Sequence, residues 1–305
     1  MKQMSGKFTV SYAQNREDLI LGGFFAGHGG KPGFYVDVGA GHPMIDSVTR
    51  RFYEAGWRGI NIDPINHIHK ALQLHRKRDI NLNIGISNKA GILRFREYAA
   101  DGFSTFSEDV QRQYVETPDE YTKNYTDYEV KTRTLADVLA EHKANDIQFL
   151  KIDVEGYEYE VIEGNDWNKF RPEVICIEAN HIKKDWRKCL GKNHYKLAFF
   201  DGLNEYYADE HKQTRLKFSY VDAIINKEPI LRYDAADELE KIRALADKYK
   251  KDKEFLESHI ADLNYRLEQE QAEIDSLNNT GTYIKKRARR ALGKIKHNDS
   301  QKDSK

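Results

Sequence analysis

The segment GFYVDVGAGH, residues 33–42, restricts the fold of this chain more than any other. A run of apolar and β-branched residues gives way to a glycine-rich turn, and the apolar residues of IDSVTRRFYEAGW then recur at helical spacing. That reads as strand, loop and helix. Gly56 and Gly59 bracket a turn into GINIDPI, a short buried-strand pattern ending in Asp63 and Pro64. NHIHKALQLHRKRD fits a second helix and INLNIGIS a third strand. Strands alternating with helices at this cadence predict right-handed βαβ units and a doubly wound, mostly parallel α/β sheet.

ILRFREY continues as a strand after the turn NKAG. Between Ala99 and Lys131 the chain is rich in Tyr, Asp, Glu and Thr without a clear period, so it reads as a long insertion or lid over a site. TLADVLAEHK is an amphipathic helix with Thr134 as its N-cap and Asp137 three residues on. IQFLKIDV is the next central strand, EGYEYEVIEG a helix beside it, and RPEVICIEAN another strand. KLAFF and FSYVDAIIN are expected to complete the sheet as antiparallel edge strands.

The 305 residues suffice for one such core plus appendages. A mean hydropathy of -0.78 is more polar than a compact domain requires. The excess lies after residue 232. Leu239, Ile242, Ala246, Tyr249, Lys253, Leu256, Ile260, Leu263, Leu267, Glu270, Ile274 and Leu277 alternate at spacings of three and four, the seam of a left-handed coiled coil. A homo-oligomer is therefore expected, with a single solvent-bridging helix as the alternative. Asn278, Asn279 and Gly281 interrupt that pattern, after which TYIKKRARRALGKIK gathers Ile284, Ala288, Ala291, Leu292 and Ile295 on one face and cations elsewhere. Such a tail suits an anionic membrane surface, although a solvated basic tail or a protein partner would use the same residues. The expected organisation is thus an enzyme-like domain over 1–232, a stalk over 234–278 and a basic amphipathic tail over 281–305.

Lys+Arg and Asp+Glu both number 49, so no uniformly cationic surface points to specific nucleic-acid binding. Cys176 and Cys189 form neither a CxxC pair nor a disulfide scaffold. No secretory apolar region or membrane-length apolar window is visible, which makes a cytoplasmic location the expectation, peripheral at the inner membrane face if the tail binds there.

Three groups of residues carry chemistry. Asp37, Gly39 and Gly41 end the first strand, where glycines let the backbone approach a nucleoside-type ligand. A dinucleotide motif would need a third glycine where Met44 stands, and that weakens a nicotinamide reading. Asp63 ends the next strand, a placement suited to gripping ribose hydroxyls. Asp153 and Glu155 leave the central strand LKIDVEG, and Glu178, with Asn180 and His181, leaves the next. Carboxylates at buried strand ends are costly unless they serve a site, and parallel strand ends converge on one crevice.

In chain order, SYAQNREDLIL, FYVDVGAG, GWRGINIDP, NIGISNKAG, GFSTF, FLKIDVEGYEYEVIEG and PEVICIEAN resemble the FkbM-type methyltransferases across roughly residues 10–230, with LKIDVEG the most specific part. The resemblance implies a Rossmann-like class I domain that uses S-adenosylmethionine and commonly O-methylates sugars, polysaccharides or natural products. It implies that Asp37, Gly39 and Gly41 line the methionine portion of the cofactor, Asp63 the ribose and Asn83 or its neighbours the adenine. Asp153 stands with the cofactor residues as well as the catalytic ones, and Gln14, Glu17 and Asp18 match an upstream motif assigned to closing the site. Asp63 replaces a more usual Glu, and Gly85 a more usual Ala. Asp153, Glu155, Glu178 or His181 is then the expected source of a general base, or Asp153 and Glu178 hold Mg²⁺ or Mn²⁺. The tyrosines between Phe103 and Tyr128 suit stacking on pyranose faces or packing within the insertion. On this reading the acceptor is a glycan hydroxyl, lipid-linked if the tail holds the protein at a membrane. The competing expectation is a noncatalytic scaffold of the same fold that acts through its coiled coil.

Overall fold

A computed structural model describes residues 9–26, 31–182, 184–212 and 230–299, and divides the chain into one compact unit, Met1–Ala236, and a second, Asp237–Lys305. The first unit opens with β1 (Thr9–Ser11), α1 (Glu17–Phe24), β2 (Phe34–Val38), α2 (Arg50–Glu54), β3 (Arg58–Ile62), α3 (Asn66–His75) and β4 (Ile80–Leu82). An excursion follows, comprising β5 (Gly85–Ile86), β6 (Gly91–Tyr98), α4 (Glu108–Glu116) and β7 (Tyr125–Arg133). The chain then returns through α5 (Leu135–Glu141), β8 (Phe149–Ile152), α6 (Glu158–Glu163), β9 (Val174–Glu178), α7 (Arg187–Lys192), β10 (Tyr195–Phe200) and β11 (Asn204–Asp209) to β12 (Ile230–Arg232).

Seven strands form the main sheet in the order β10-β11-β9-β8-β2-β3-β4. From β4 to β9 all neighbours are parallel, and β11 is antiparallel to both β9 and β10. The apolar runs of β2, β3, β8 and β9 follow from covering on both faces, because such strands need no polar side. Val36, Val38, Ile60, Leu150 and Ile152 pack with Leu135 and Val138 of α5 and Val161 of α6. On the opposite face Tyr35 and Phe149 pack with Ile20 and Phe24 of α1 and Phe52 of α2. The strand order reverses between β2 and β8, and an open α/β sheet leaves a crevice beyond the strand ends at such a point.

INLNIGIS is not one strand. Its first residues complete the main sheet as β4, whereas Gly85 and Ile86 join β6 and β7 in a separate three-stranded sheet. The expected structureless insertion holds a helix and a strand. Ser107 caps α4 by accepting from the Val110 backbone N–H, and β7 pairs along the whole of β6. Its outward residues are polar and its inward ones aromatic or β-branched, a mixture that hides both periods. Thr134 caps α5 as expected, accepting from the Asp137 N–H at 3.1 Å. FSYVDAIIN lies outside the described residues. The strand antiparallel to the parallel set is NEYYAD, residues 204–209, with KLAFF beyond it.

The second unit is helical. One α-helix runs Tyr233–Asp299, so its backbone does not break at Asn278, Asn279 and Gly281 as the sequence pattern predicts. A single glycine costs about 1 kcal/mol relative to alanine, and strong helix formers on both sides outweigh that. Ile242, Tyr249, Leu256, Ile260, Leu263 and Leu267 are exposed along it. Among the described residues no helix is long and apolar enough to cross a membrane.

Candidate active site

Beyond the carboxyl ends of β2, β3 and β8 lies a cavity of about 430 Å³. Its lining includes Gly39, Gly41, Asp63, Ile65, Ile84 and Ile86 at one end and Asp153, Glu155, Glu178 and His181 at the other. Backbone N–H groups of Gly39 and Ala40 donate to the Ile62 carbonyl, which folds the glycine loop over the end of β3. Gly39 has φ +75°, and a Cβ there would stand 1.8 Å from the Asp153 carbonyl oxygen. No other residue fits that contact. Gly41 has φ +61° and open space where a Cβ would project, so the loop presents bare backbone to the cavity.

Asp63 is 5% exposed and accepts from the Gly41 N–H at 3.0 Å and the Ile65 N–H at 2.9 Å, one bond to each carboxylate oxygen. Each oxygen keeps capacity for a further donor. Burial pushes its pKa up to about 6, although both backbone bonds favour the charged form. Asn83 donates to the carbonyls of Asp63 and Pro64 and holds that turn in place.

At the other end, oxygens of Asp153, Glu155 and Glu178 all lie within 4.8 Å of one another. Burial and then the neighbouring carboxylates push the Glu155 and Glu178 acids well up. Three like charges this close demand a proton or a cation between them. The spacing also fits a hard divalent ion coordinated by oxygen. Glu155 has φ +53°, sparsely populated for a residue with a side chain, and its carbonyl accepts from Thr105 Oγ1 at 2.7 Å. His181 Nε2 lies 3.6 Å from Glu155 Oε2 and 3.2 Å from the Tyr114 hydroxyl. Asp101, Gly102, Phe103 and Ser104 of the excursion complete the lining, with Phe103 stacked on Tyr121 at 5.7 Å between centroids.

A family model described as the methyltransferase FkbM domain matches residues 37–221. The chain belongs to the FkbM methyltransferase family. A comparison with curated proteins finds no match.

The structure brings Gly39, Gly41, Asp63, Asp153, Glu155, Glu178 and His181 of the FkbM domain to one cavity, together with Gln14 from upstream of it. Asp37 and Asn83 are not among its lining residues. Asp37 is 1% exposed beneath the loop, where Thr49 Oγ1 donates to it at 3.1 Å and Lys151 Nζ lies 3.5 Å away. A side chain midway along a pleated strand points to one face, and Asp37 points beneath the crevice. Glu17 and Asp18 are buried in supporting contacts instead, Glu17 with Asn204 and Asp18 with Ser11 and the Tyr12 N–H. Of the three upstream residues Gln14, Glu17 and Asp18, only Gln14 lines the cavity.

Sequence reasoning missed Lys151. Its ammonium lies 2.6 Å from the Gly39 carbonyl, 3.1 Å from Asp153 and 3.5 Å from Asp37. Burial alone would discharge it, but Asp153 and Asp37 more than offset that and raise its pKa. The available signal was a lone cation inside the apolar run FLKI. Tyr114 was missed too, since nothing in its sequence surroundings separates it from the other tyrosines of the excursion.

Proposed function

We propose that this FkbM-family protein is an S-adenosylmethionine-dependent O-methyltransferase of Rossmann-like class I fold, acting on a glycan hydroxyl. The observation that carries the reading is one cavity lined both by the glycine loop with Asp63 and by the crowded carboxylates. Bare backbone at Gly41 and the free lone pairs of Asp63 suit a ribose diol, and Ile65, Ile84 and Ile86 suit an adenine. No pyrophosphate needs room there.

Methyl transfer is an in-line displacement. The acceptor oxygen forms a bond to the methyl carbon while the carbon–sulfur bond breaks, its electron pair going to sulfur. The hydroxyl proton passes to a carboxylate of the Asp153, Glu155 and Glu178 cluster. His181 orients Glu155, and Tyr114 orients His181. Asp153 and Glu178 would be the residues to hold Mg²⁺ or Mn²⁺, and such an ion would supply Lewis acidity toward the acceptor hydroxyl in place of direct proton removal.

The exposed apolar stripe of the long helix supports pairing with further copies as a coiled coil, and the cations near its end support docking on an anionic membrane face. The deciding experiment incubates the protein with methyl-labelled S-adenosylmethionine and a glycan extract of the native host, with calorimetry of cofactor binding alongside. Label on a glycan hydroxyl supports the assignment. No cofactor binding by calorimetry would instead leave a scaffold of methyltransferase fold.

A further inference from the structure

A larger cavity of about 690 Å³ adjoins the first, and Phe106 and His181 line both. Helix α4 forms the partition. Tyr114 lines the first cavity at its carboxylate end, whereas Arg112 and Val115, three residues apart and so on one face of the same helix, line the larger space. Glu155 lines the first cavity and Gly156, the next residue, lines the second. A group that touches His181 from the larger cavity is therefore one side chain from the carboxylate cluster, since His181 Nε2 is 3.6 Å from Glu155 Oε2.

The lining of this second space indicates its ligand. Four cations, Arg112 and Lys184 among them, stand with four carboxylates, Asp109 and Glu160 among them. Lys184 pairs with Glu160, and Arg112 lies 3.6 Å from Asp109. A phosphate or sulfate meets no surplus positive charge there. A neutral polyol finds donors and acceptors side by side, the carboxylates accepting from vicinal hydroxyls and the guanidinium groups donating to ring and hydroxyl oxygens. Phe106, Tyr157 and Tyr159 add ring faces on which the C–H side of a pyranose packs.

We propose that this second cavity is the acceptor cleft, taking a neutral oligosaccharide segment whose terminal hydroxyl passes His181 to reach the carboxylates. The proposal rests on the methyl-transfer reading above, and its test separates the two. Val115→Trp, at a side chain 57% exposed on the cleft wall, narrows the cleft without disturbing the core. Arg112→Ala removes a donor at a similarly exposed position. The full-length protein and both variants are assayed with labelled S-adenosylmethionine and a host glycan extract split by anion exchange into neutral and acidic pools. Cofactor affinity is followed by calorimetry.

Label is expected in the neutral pool, falling about tenfold in Val115→Trp, the change that corresponds to roughly 1.4 kcal/mol. Cofactor affinity stays unchanged in both variants. Label confined to the acidic pool, an unlabelled neutral pool, or full transfer by Val115→Trp and Arg112→Ala overturns the cleft assignment. Failure of the unaltered protein to bind the cofactor strikes the methyl-transfer reading itself.

Discussion

Lys151 Nζ donates to the carbonyl oxygen of Gly39 at 2.6 Å, tying the central strand β8 to the glycine loop after β2. The same ammonium neutralises Asp37 beneath the loop and Asp153 beside the cavity. One buried cation therefore ties the loop to β8 and pairs with two acids. Replacing it by methionine leaves Asp37 buried and uncompensated. Lys151→Met is expected to cost about 3–5 kcal/mol, the range for breaking a buried pair from one side. Urea denaturation followed by tryptophan fluorescence measures the loss, and a midpoint equal to that of the unaltered protein would contradict this role.

Glycine is required at two loop positions for different reasons. Gly39→Ala places a methyl against the Asp153 carbonyl and also strains φ, so it destabilises the fold by roughly 2–5 kcal/mol. Gly41→Ala strains φ alone, about 1–2 kcal/mol, but its methyl projects into open space at the cavity. The first variant should show a lowered melting temperature. The second should melt closer to the unaltered protein and bind S-adenosylmethionine more weakly by calorimetry.

Asp63 links both stability and cofactor binding to pH. Its folded-state pKa is about 6, against an ordinary value of about 4, so between these values the folded chain holds a proton that the unfolded chain has lost. The favourable contribution to stability is fully present at low pH and disappears as pH rises through about 6. Cofactor affinity moves the other way, because the ionised carboxylate is the stronger acceptor for ribose hydroxyls. Calorimetry across this interval should show affinity increasing with pH, and Asp63→Asn should flatten the curve while binding weakly throughout.

The crowded carboxylates predict a change in the pH–rate profile. Asp153→Asn removes the like charge that stands beside both Glu155 and Glu178 and allows them to ionise at lower pH. Transfer is expected to fall about 10²–10⁴-fold if Asp153 itself takes the proton, with the acid limb of the remaining activity displaced to lower pH. Chelation separates the two routes. Loss of transfer with EDTA and its return with Mg²⁺ or Mn²⁺ identifies the ion-assisted one, and indifference to EDTA identifies direct proton removal.

Leu256 and Ile260 stand four residues apart on the long helix, 56% and 55% exposed. Lysine at both positions is expected to turn an oligomer into a monomer in analytical ultracentrifugation while leaving cofactor binding intact. A monomeric unaltered protein would remove the coiled-coil assignment. Deletion of the residues after 280 should abolish binding to anionic liposomes, and unchanged binding would remove the membrane role of the tail.

Much of the site was legible because its residues are exceptions to a simple pattern. Asp63, Asp153 and Glu178 stand where apolar strands end, and in a parallel sheet those ends meet. Asn83 obeys the same pattern but points elsewhere, and Asp37 lies one residue short of the end of β2; which face such a side chain takes depends on register that spacing alone does not determine. Lys151 was hidden because two of its three partners, Gly39 and Asp37, are 112 and 114 residues away. The excursion was illegible for another reason. In β7 only Val130 and Thr132 are buried, so too few inward residues repeat for a period of two to emerge.

The separation of β5 from β4 bears on where the cavity wall can tolerate substitution. Within three residues of Leu82 the chain leaves the main sheet for a small sheet of its own, and it returns toward the main sheet through the capped helix α5. The residues in between supply Phe95, Phe103, Phe106 and Tyr114 to the cavity wall but no strand to the seven-stranded sheet. Substitutions there can reshape that wall while the sheet beneath keeps its register.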